Sequence, residues 1–136
     1  MGESSSREFG FSESRLRENL TVSRSDLFAG QTVIVSGAGS GLGRAIAVLF
    51  ARLGANLAIC GRNPEKLETA AAFLSSFGGK VMTAQMSIRD TDQVNGFIDD
   101  VHARFGRLDI LVNNAGGQYP QAALDFTPKG WNAVID

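Results

Sequence analysis

Residues 36 to 43 read Ser36-Gly37-Ala38-Gly39-Ser40-Gly41-Leu42-Gly43, with glycine at every second position from 37. The segment lies between a short apolar run and a helical pattern. Phosphates bind well at such a junction, because unpaired N–H groups and the positive end of the helix dipole point at them and glycines let the backbone approach closely. Taken alone, a glycine loop after a strand reads as a tight turn just as readily. The dinucleotide spelling G-x-G-x-x-G fails, since it needs a glycine where Leu42 or Arg44 stands; the spacing that holds is Gly37-x-x-x-Gly41-x-Gly43. No Gly-Lys-Ser/Thr follows that would hold a γ-phosphate and magnesium.

Corroboration comes from Asn113-Asn114-Ala115-Gly116, directly after the apolar segment Leu108 to Val112. A polar turn is the competing reading. Two such loops at the carboxyl ends of neighbouring strands mark the place where doubly wound sheets take their ligands. A third feature is Cys60-Gly61-Arg62-Asn63, with no carboxylate until Glu65. At this place an acidic residue suits the adenosine ribose of NAD, whereas an arginine suits the additional phosphate of NADP. Arg62 is therefore the candidate for that phosphate, with Ser40 as its helper; the competing reading is a solvated arginine before a helix cap.

Other conspicuous residues read as structural. His102 falls on a helix away from these loops, Cys60 reads as a small buried apolar group, and Trp131 as the anchor of its helix on the core. Tyr119 is followed by Pro-Gln-Ala-Ala and has no lysine four residues on. No catalytic residue and no metal ligand is assigned.

The elements that must position the loops follow from the hydrophobic periods. Thr32 to Val35 predicts a buried strand. The next helix carries an apolar stripe at Leu42, Ala45, Ile46, Leu49, Phe50 and Leu53, and Gly54 ends it. Asn56 to Cys60 predicts the second strand. Asn63 caps a helix with Pro64 in its first turn and Leu67, Ala70, Ala71 and Leu74 buried, and Gly78-Gly79 stops it. Val81 to Gln85 is the third strand. Asp90 and Gln93 resemble a capping box before a stripe of Val94, Phe97, Ile98, Val101 and Phe105, closed by Gly106. Leu108 to Val112 is the fourth strand, and Thr127-Pro128 opens a last helix. Alternating strands and helices predict right-handed crossovers and a doubly wound α/β domain over residues 27–136, its parallel sheet left with an unpaired edge after about four strands. Residues 1–26, rich in Ser, Glu and Arg, read as a flexible N-terminal arm.

The chain has 136 residues, 43% hydrophobic and 20% charged, and a formal net charge of −1. It offers neither the basic field that attracts nucleic acid or an anionic membrane nor a secretion signal or membrane span. Cys60 is the sole cysteine, which removes any internal disulfide or thiol cluster and fits a cytoplasmic protein.

The spacing Ser36-Gly37-x-x-x-Gly41-x-Gly43, together with Leu108 through Gly116 (LDILVNNAG), resembles the short-chain dehydrogenase/reductase family. That resemblance implies a Rossmann fold, hydride transfer with NADP(H) favoured and NAD(H) as the alternative, a small-molecule substrate and a homo-oligomer in full-length form. The cofactor contacts it carries over are Gly37, Ser40, Gly41, Leu42, Gly43, Arg62, Asn114, Ala115 and Gly116. Many members place an aspartate and an aliphatic residue at the adenine, where this sequence has Ser87-Ile88. The family's serine, tyrosine and lysine, with the tyrosine as acid/base, are not found, so the chain reads as the cofactor half of a longer enzyme; the rival reading is a non-catalytic dinucleotide-binding module. Gly116-Gly117-Gln118 after Asn113-Asn114-Ala115 and the later Lys129-Gly130-Trp131 resemble the group of 2,4-dienoyl-CoA, trans-2-enoyl-CoA and citronellol/citronellal oxidoreductases.

Overall fold

A computed structural model describes residues 12–17, 25–117, 122–125 and 127–135. Helix α1 (Glu13–Arg17) precedes β1 (Thr32–Ser36), α2 (Gly41–Arg52), β2 (Asn56–Gly61), α3 (Pro64–Ser75), β3 (Val81–Gln85), α4 (Thr91–Phe105) and β4 (Ile110–Val112). A short 3-10 turn (Ala123–Asp125) and helix α5 (Pro128–Ile135) follow. The strands form one parallel sheet in the order β3-β2-β1-β4. The chain therefore winds outward from β1 to β3 and then crosses back to the other side of β1. That reversal opens a crevice at the carboxyl ends of β1 and β4.

Side chains of β1 alternate between two cores, as the period of two demands. Val33 and Val35 join Leu57 and Ile59 of β2 and meet Ala47, Val48 and Ala51 of α2 and Leu67, Ala70, Phe73 and Leu74 of α3. Ile34 faces the opposite side with Ala58 and Cys60, against Phe97 and Val101 of α4. Full burial of each such branched side chain is worth about 1.5–3 kcal/mol, so the central strands are held from both faces.

The local signals of the sequence act as expected. Asn63 Oδ1 accepts the Lys66 N–H at 3.0 Å, and Asp90 Oδ1 accepts those of Asp92 and Gln93 at 3.1 Å. Gln93 also donates its side-chain amide to Asp90 Oδ2 at 2.7 Å, and its Oε1 accepts from Ser87 N rather than from the cap residue itself. Gly106 ends α4 in the left-handed conformation. Strand β3 is only half buried because it is the sheet edge, which accounts for its polar content.

Three expectations are corrected. The buried face of α2 is Gly43, Ala47, Val48 and Ala51, while Leu42 and Leu49 of the expected stripe are 69% and 45% exposed. Small residues let the helix lie close to the sheet beside the glycine loop, while Leu42 and Leu49 point away and Phe50 and Leu53 of the expected stripe do meet the core. Trp131 does not anchor α5: it is 58% exposed, and Gly130 is the buried residue there. Strand β4 begins at Ile110 rather than Leu108. Asp109 reaches β1 differently, donating its N–H to Thr32 O at 3.0 Å while its Oδ2 accepts the Thr32 N–H at 2.8 Å.

Arg107 grips the same carboxylate with Nε and Nη2 at 2.6–3.1 Å. These hydrogen bonds, the Arg107 side chain first and the Thr32 N–H next, hold the Asp109 carboxyl below its ordinary range. A depressed folded-state value gives stability that is fully present above the ordinary carboxylate range and is lost as pH falls through the folded-state value. Asp109→Asn is thus expected to be less stable than the parent at neutral pH, the gap closing as the medium is acidified. A constant gap across an acid melting series would refute this.

Of the N-terminal arm, residues 12–17 are described together with Ser25 and Asp26, and the remainder lies outside the described residues. Leu16 of α1 packs against the main core, Glu13 pairs with Arg44 at 3.0 Å, and the Arg17 guanidinium lies 4.5 Å from the Phe73 ring centre. No helix among the described residues is long and apolar enough to cross a membrane.

Candidate cofactor site

The crevice at the strand ends is an open cleft of about 840 Å³. Its floor is the glycine loop and its opposite wall the loop after β4. Gly37, Ser40, Leu42 and Gly43 line it from the first, and Asn114, Ala115 and Gly116 from the second. Arg62 enters from the end of β2, Ser87 and Ile88 from the loop after β3. Of the residues expected there, Gly41 alone does not line the cleft; its contribution is a backbone φ of +58°, which lets the chain turn into α2.

Ser36 joins the two loops. Its hydroxyl donates to Val112 O at 3.2 Å and accepts the N–H groups of Asn114 and Ala115 at 3.0 and 2.9 Å. Asn114 returns the tie, its Nδ2 donating to Ser36 O at 3.0 Å and to Gly37 O at 3.4 Å. The sequence named both loops but not this hydroxyl, although a serine at the end of a buried strand, just before a glycine, was the available signal.

The glycines are required by these contacts. A methyl group built on Gly37 would stand 3.0 Å from Ala115 Cα and 3.1 Å from Asn114 Nδ2, and Gly37 has a φ of +68°. One built on Gly43 would collide with Asn114 Nδ2 and with the Gly37 carbonyl oxygen. Ser40 is the N-cap of α2 but its hydroxyl makes no capping bond, leaving the first-turn N–H groups directed at the cleft to be satisfied by an anion or by water.

Charge follows the same plan. Among the described residues the lining carries Arg62, Lys66 and Arg89 and no Asp or Glu. Gln85 Nε2 donates to the Arg62 carbonyl at 3.4 Å, linking the arginine-bearing turn to β3. Arg89 Nη2 donates to Asn132 O of α5 at 3.3 Å, and Val134 of that helix reaches the cleft. Ser87 turns its hydroxyl to its own loop, accepting from Arg89 N at 3.3 Å, and Ile88 presents a 48% exposed apolar side chain. Sequence reasoning passed over Lys66, Leu67, Met86 and Val134, which are brought here by the crossovers and by no local motif.

Cys60 is buried on the face of β2 that α4 covers, and burial pushes its thiol above the ordinary value against a weaker opposing pull from the Gly37 N–H. It stays a neutral packing group. His102 is exposed on α4. Tyr119 lies outside the described residues.

Comparison with known proteins agrees with this geometry. The family model for short chain dehydrogenases matches residues 31–136. A probable 2,4-dienoyl-CoA reductase of Bacillus subtilis is 40% identical over 106 residues, 78% of this chain and 42% of that protein. The solved structure of a citronellol catabolism dehydrogenase from Pseudomonas aeruginosa superposes with a TM-score of 0.77 at 38% identity, covering 84% of this chain and 46% of that one. A metagenomic short-chain oxidoreductase in complex with NADP gives 0.72 at 34% identity, covering 79% of this chain and 49% of that one. A short chain dehydrogenase from Mycobacterium paratuberculosis bound to NAD gives 0.75 at 31% identity, covering 79% and 45%. The chain thus spans less than half the length of these relatives. Solved relatives hold either dinucleotide, and the resemblance to the dienoyl-CoA reductase and citronellol dehydrogenase group is found again among them. With its glycine loop, its Asn114 loop and residues 31–136 all fitting one pattern, the chain belongs to the short chain dehydrogenase family of oxidoreductases.

Proposed function

We propose that the cleft binds NADP(H) and that the full-length protein transfers a hydride between it and an acyl-CoA double bond or a terpenoid or aliphatic carbonyl. The observation that carries the cofactor choice is the lining itself: Arg62 stands just after β2, where a carboxylate would favour NAD, and the described residues of the cleft include basic side chains without an acidic one. When bound, the nicotinamide supplies the hydride.

The chain's own residues bind and orient. The first turn of α2 faces the pyrophosphate, Arg62 takes the additional phosphate with Ser40 as its helper, Ile88 covers the adenine, and Asn114 to Gly116 border the path toward the nicotinamide. Gly37, Gly41 and Gly43 shape the backbone on which this rests. The names of the relatives motivate the substrate classes, and residues 1–136 assign no group to the proton transfer. A reducing cytoplasmic setting suits the single buried thiol, and assembly into a homo-oligomer fits the apolar surface left at Leu42, Leu49, Leu111 and Trp131.

The alternative reading is a dinucleotide-binding module without catalysis. Affinity separates the cofactor choices. Titration with NADPH and NADH is expected to show NADPH at least about tenfold tighter, a difference of about 1.4 kcal/mol. Equal affinities, or a preference for NADH, would remove NADP(H) from the proposal. Turnover of a 2,4-dienoyl-CoA or of citronellol by the full-length protein separates the enzyme from the binding module.

A further inference from the structure

The glycine spacing and the Arg62 position leave two cations of the cleft unexplained, Arg89, which donates to Asn132 O of α5, and Lys66. The latter occupies the first turn of α3, where its N–H is held by the Asn63 cap and its Cβ lies against the glycine loop: a methyl group built on Gly39 would stand 3.1 Å from it. The stem of Lys66 is thereby fixed over Gly39, next to Ser40, and the residue lines the cleft together with Arg62, four positions earlier in the chain. Neither cation is engaged in an ion pair among the described residues. A helix start is an unfavourable place for a positive charge unless an anion accompanies it. An anion held between Ser40, Arg62 and Lys66 would offset that cost, and a phosphate monoester, with up to two negative charges, suits two cations better than one.

We infer that Lys66 is a specificity-determining residue, the second cation for the additional phosphate of NADP(H). This rests on the proposed choice of NADP(H) and extends it to a residue that no motif names. The tight Gly39 contact gives the lysine a defined origin, so its charge acts on the adenosine end of the cleft and leaves the nicotinamide end untouched.

The test compares NADPH and NADH binding to the parent chain, Lys66→Gln and Lys66→Arg, with melting temperature as a control on folding. Lys66→Gln removes the charge and keeps a polar, unbranched side chain that ends one atom earlier. It is expected to weaken NADPH by about fivefold, as loss of one partly exposed ionic contact does, and to leave NADH within about twofold. Lys66→Arg is expected to recover NADPH affinity. If the parent prefers NADPH but Lys66→Gln changes both cofactors equally, or neither, the assignment of Lys66 is overturned while the cofactor choice stands. If the parent binds NADH as well as or better than NADPH, or binds neither, both are overturned.

Discussion

Gly43→Ala is expected to abolish detectable dinucleotide binding and to lower the melting temperature by roughly 10 °C or more. The alanine methyl has no free space, because it would occupy the positions of Asn114 Nδ2 and the Gly37 carbonyl oxygen, with the Gly37 carbonyl carbon 2.9 Å away. Backbone bounds that volume on the Gly37 side, so no rotation of a flexible side chain relieves it. Overpacking of this kind costs about 1–3 kcal/mol, and displacement of Asn114 adds the hydrogen bonds to Ser36 O and Gly37 O at about 0.5–1.5 kcal/mol each. The damage falls on the contact between the two loops that form the cleft. Gly96→Ala is the control, since a methyl there meets nothing within 4 Å and the residue sits within α4, where alanine is the better helix former. A Gly43→Ala protein that melts with the parent and binds NADPH as tightly would show that the two loops are not packed as described.

Ser36→Ala has the second-largest effect. Ser36 is 5% exposed, and its hydroxyl serves three backbone partners at once, Val112 O, Asn114 N and Ala115 N. Alanine fits the space but leaves the Ala115 N–H without its acceptor and the Asn114 N–H with Val112 O alone. An unsatisfied buried polar group costs about 1–3 kcal/mol, so a stability loss of that order is expected, together with a drop of about tenfold in cofactor affinity as the loop loses its fixed distance from β1. Ser36→Thr, which keeps the hydroxyl, is expected to retain most of both. Equal behaviour of the alanine and threonine variants would show that the hydroxyl is not the tie between the loops.

Elements whose signals are local were legible in the sequence. Asn63-Pro64 and Asp90 start helices because cap chemistry acts within three residues, and Gly106 ends one through its left-handed backbone. The alternation of strand and helix gave the parallel sheet for the same reason, each element having its own period. Failures began where packing decides between acceptable faces. Helix α2 has apolar residues on more than one side, and the small set Gly43, Ala47 and Ala51 was chosen by closeness to the sheet rather than by hydrophobicity. Trp131 was assigned to the core on its size, yet α5 approaches the domain through Gly130, and its Asn132 carbonyl accepts from Arg89.

The cleft divides along the same line. Gly37, Gly43 and Asn114 were found because the family spacing states them, and Arg62 because its place after the second strand has a chemical meaning. Ser36 stood in the same spacing without a role, and Lys66 was missed. Their importance comes from partners 76–79 residues away in one case and from the crossing of α3 over the glycine loop in the other, distances at which a linear pattern carries no information.

The NADPH titration, followed amide by amide through nuclear magnetic resonance, tests the central claim most directly. The cleft as described predicts that the signals shifted at saturation belong to Gly37 through Gly43, Arg62, Ser87, Ile88 and Asn114 through Gly116, with His102 and the exposed face of α4 unmoved. Shifts confined to other surfaces, or none at millimolar NADPH, would contradict it.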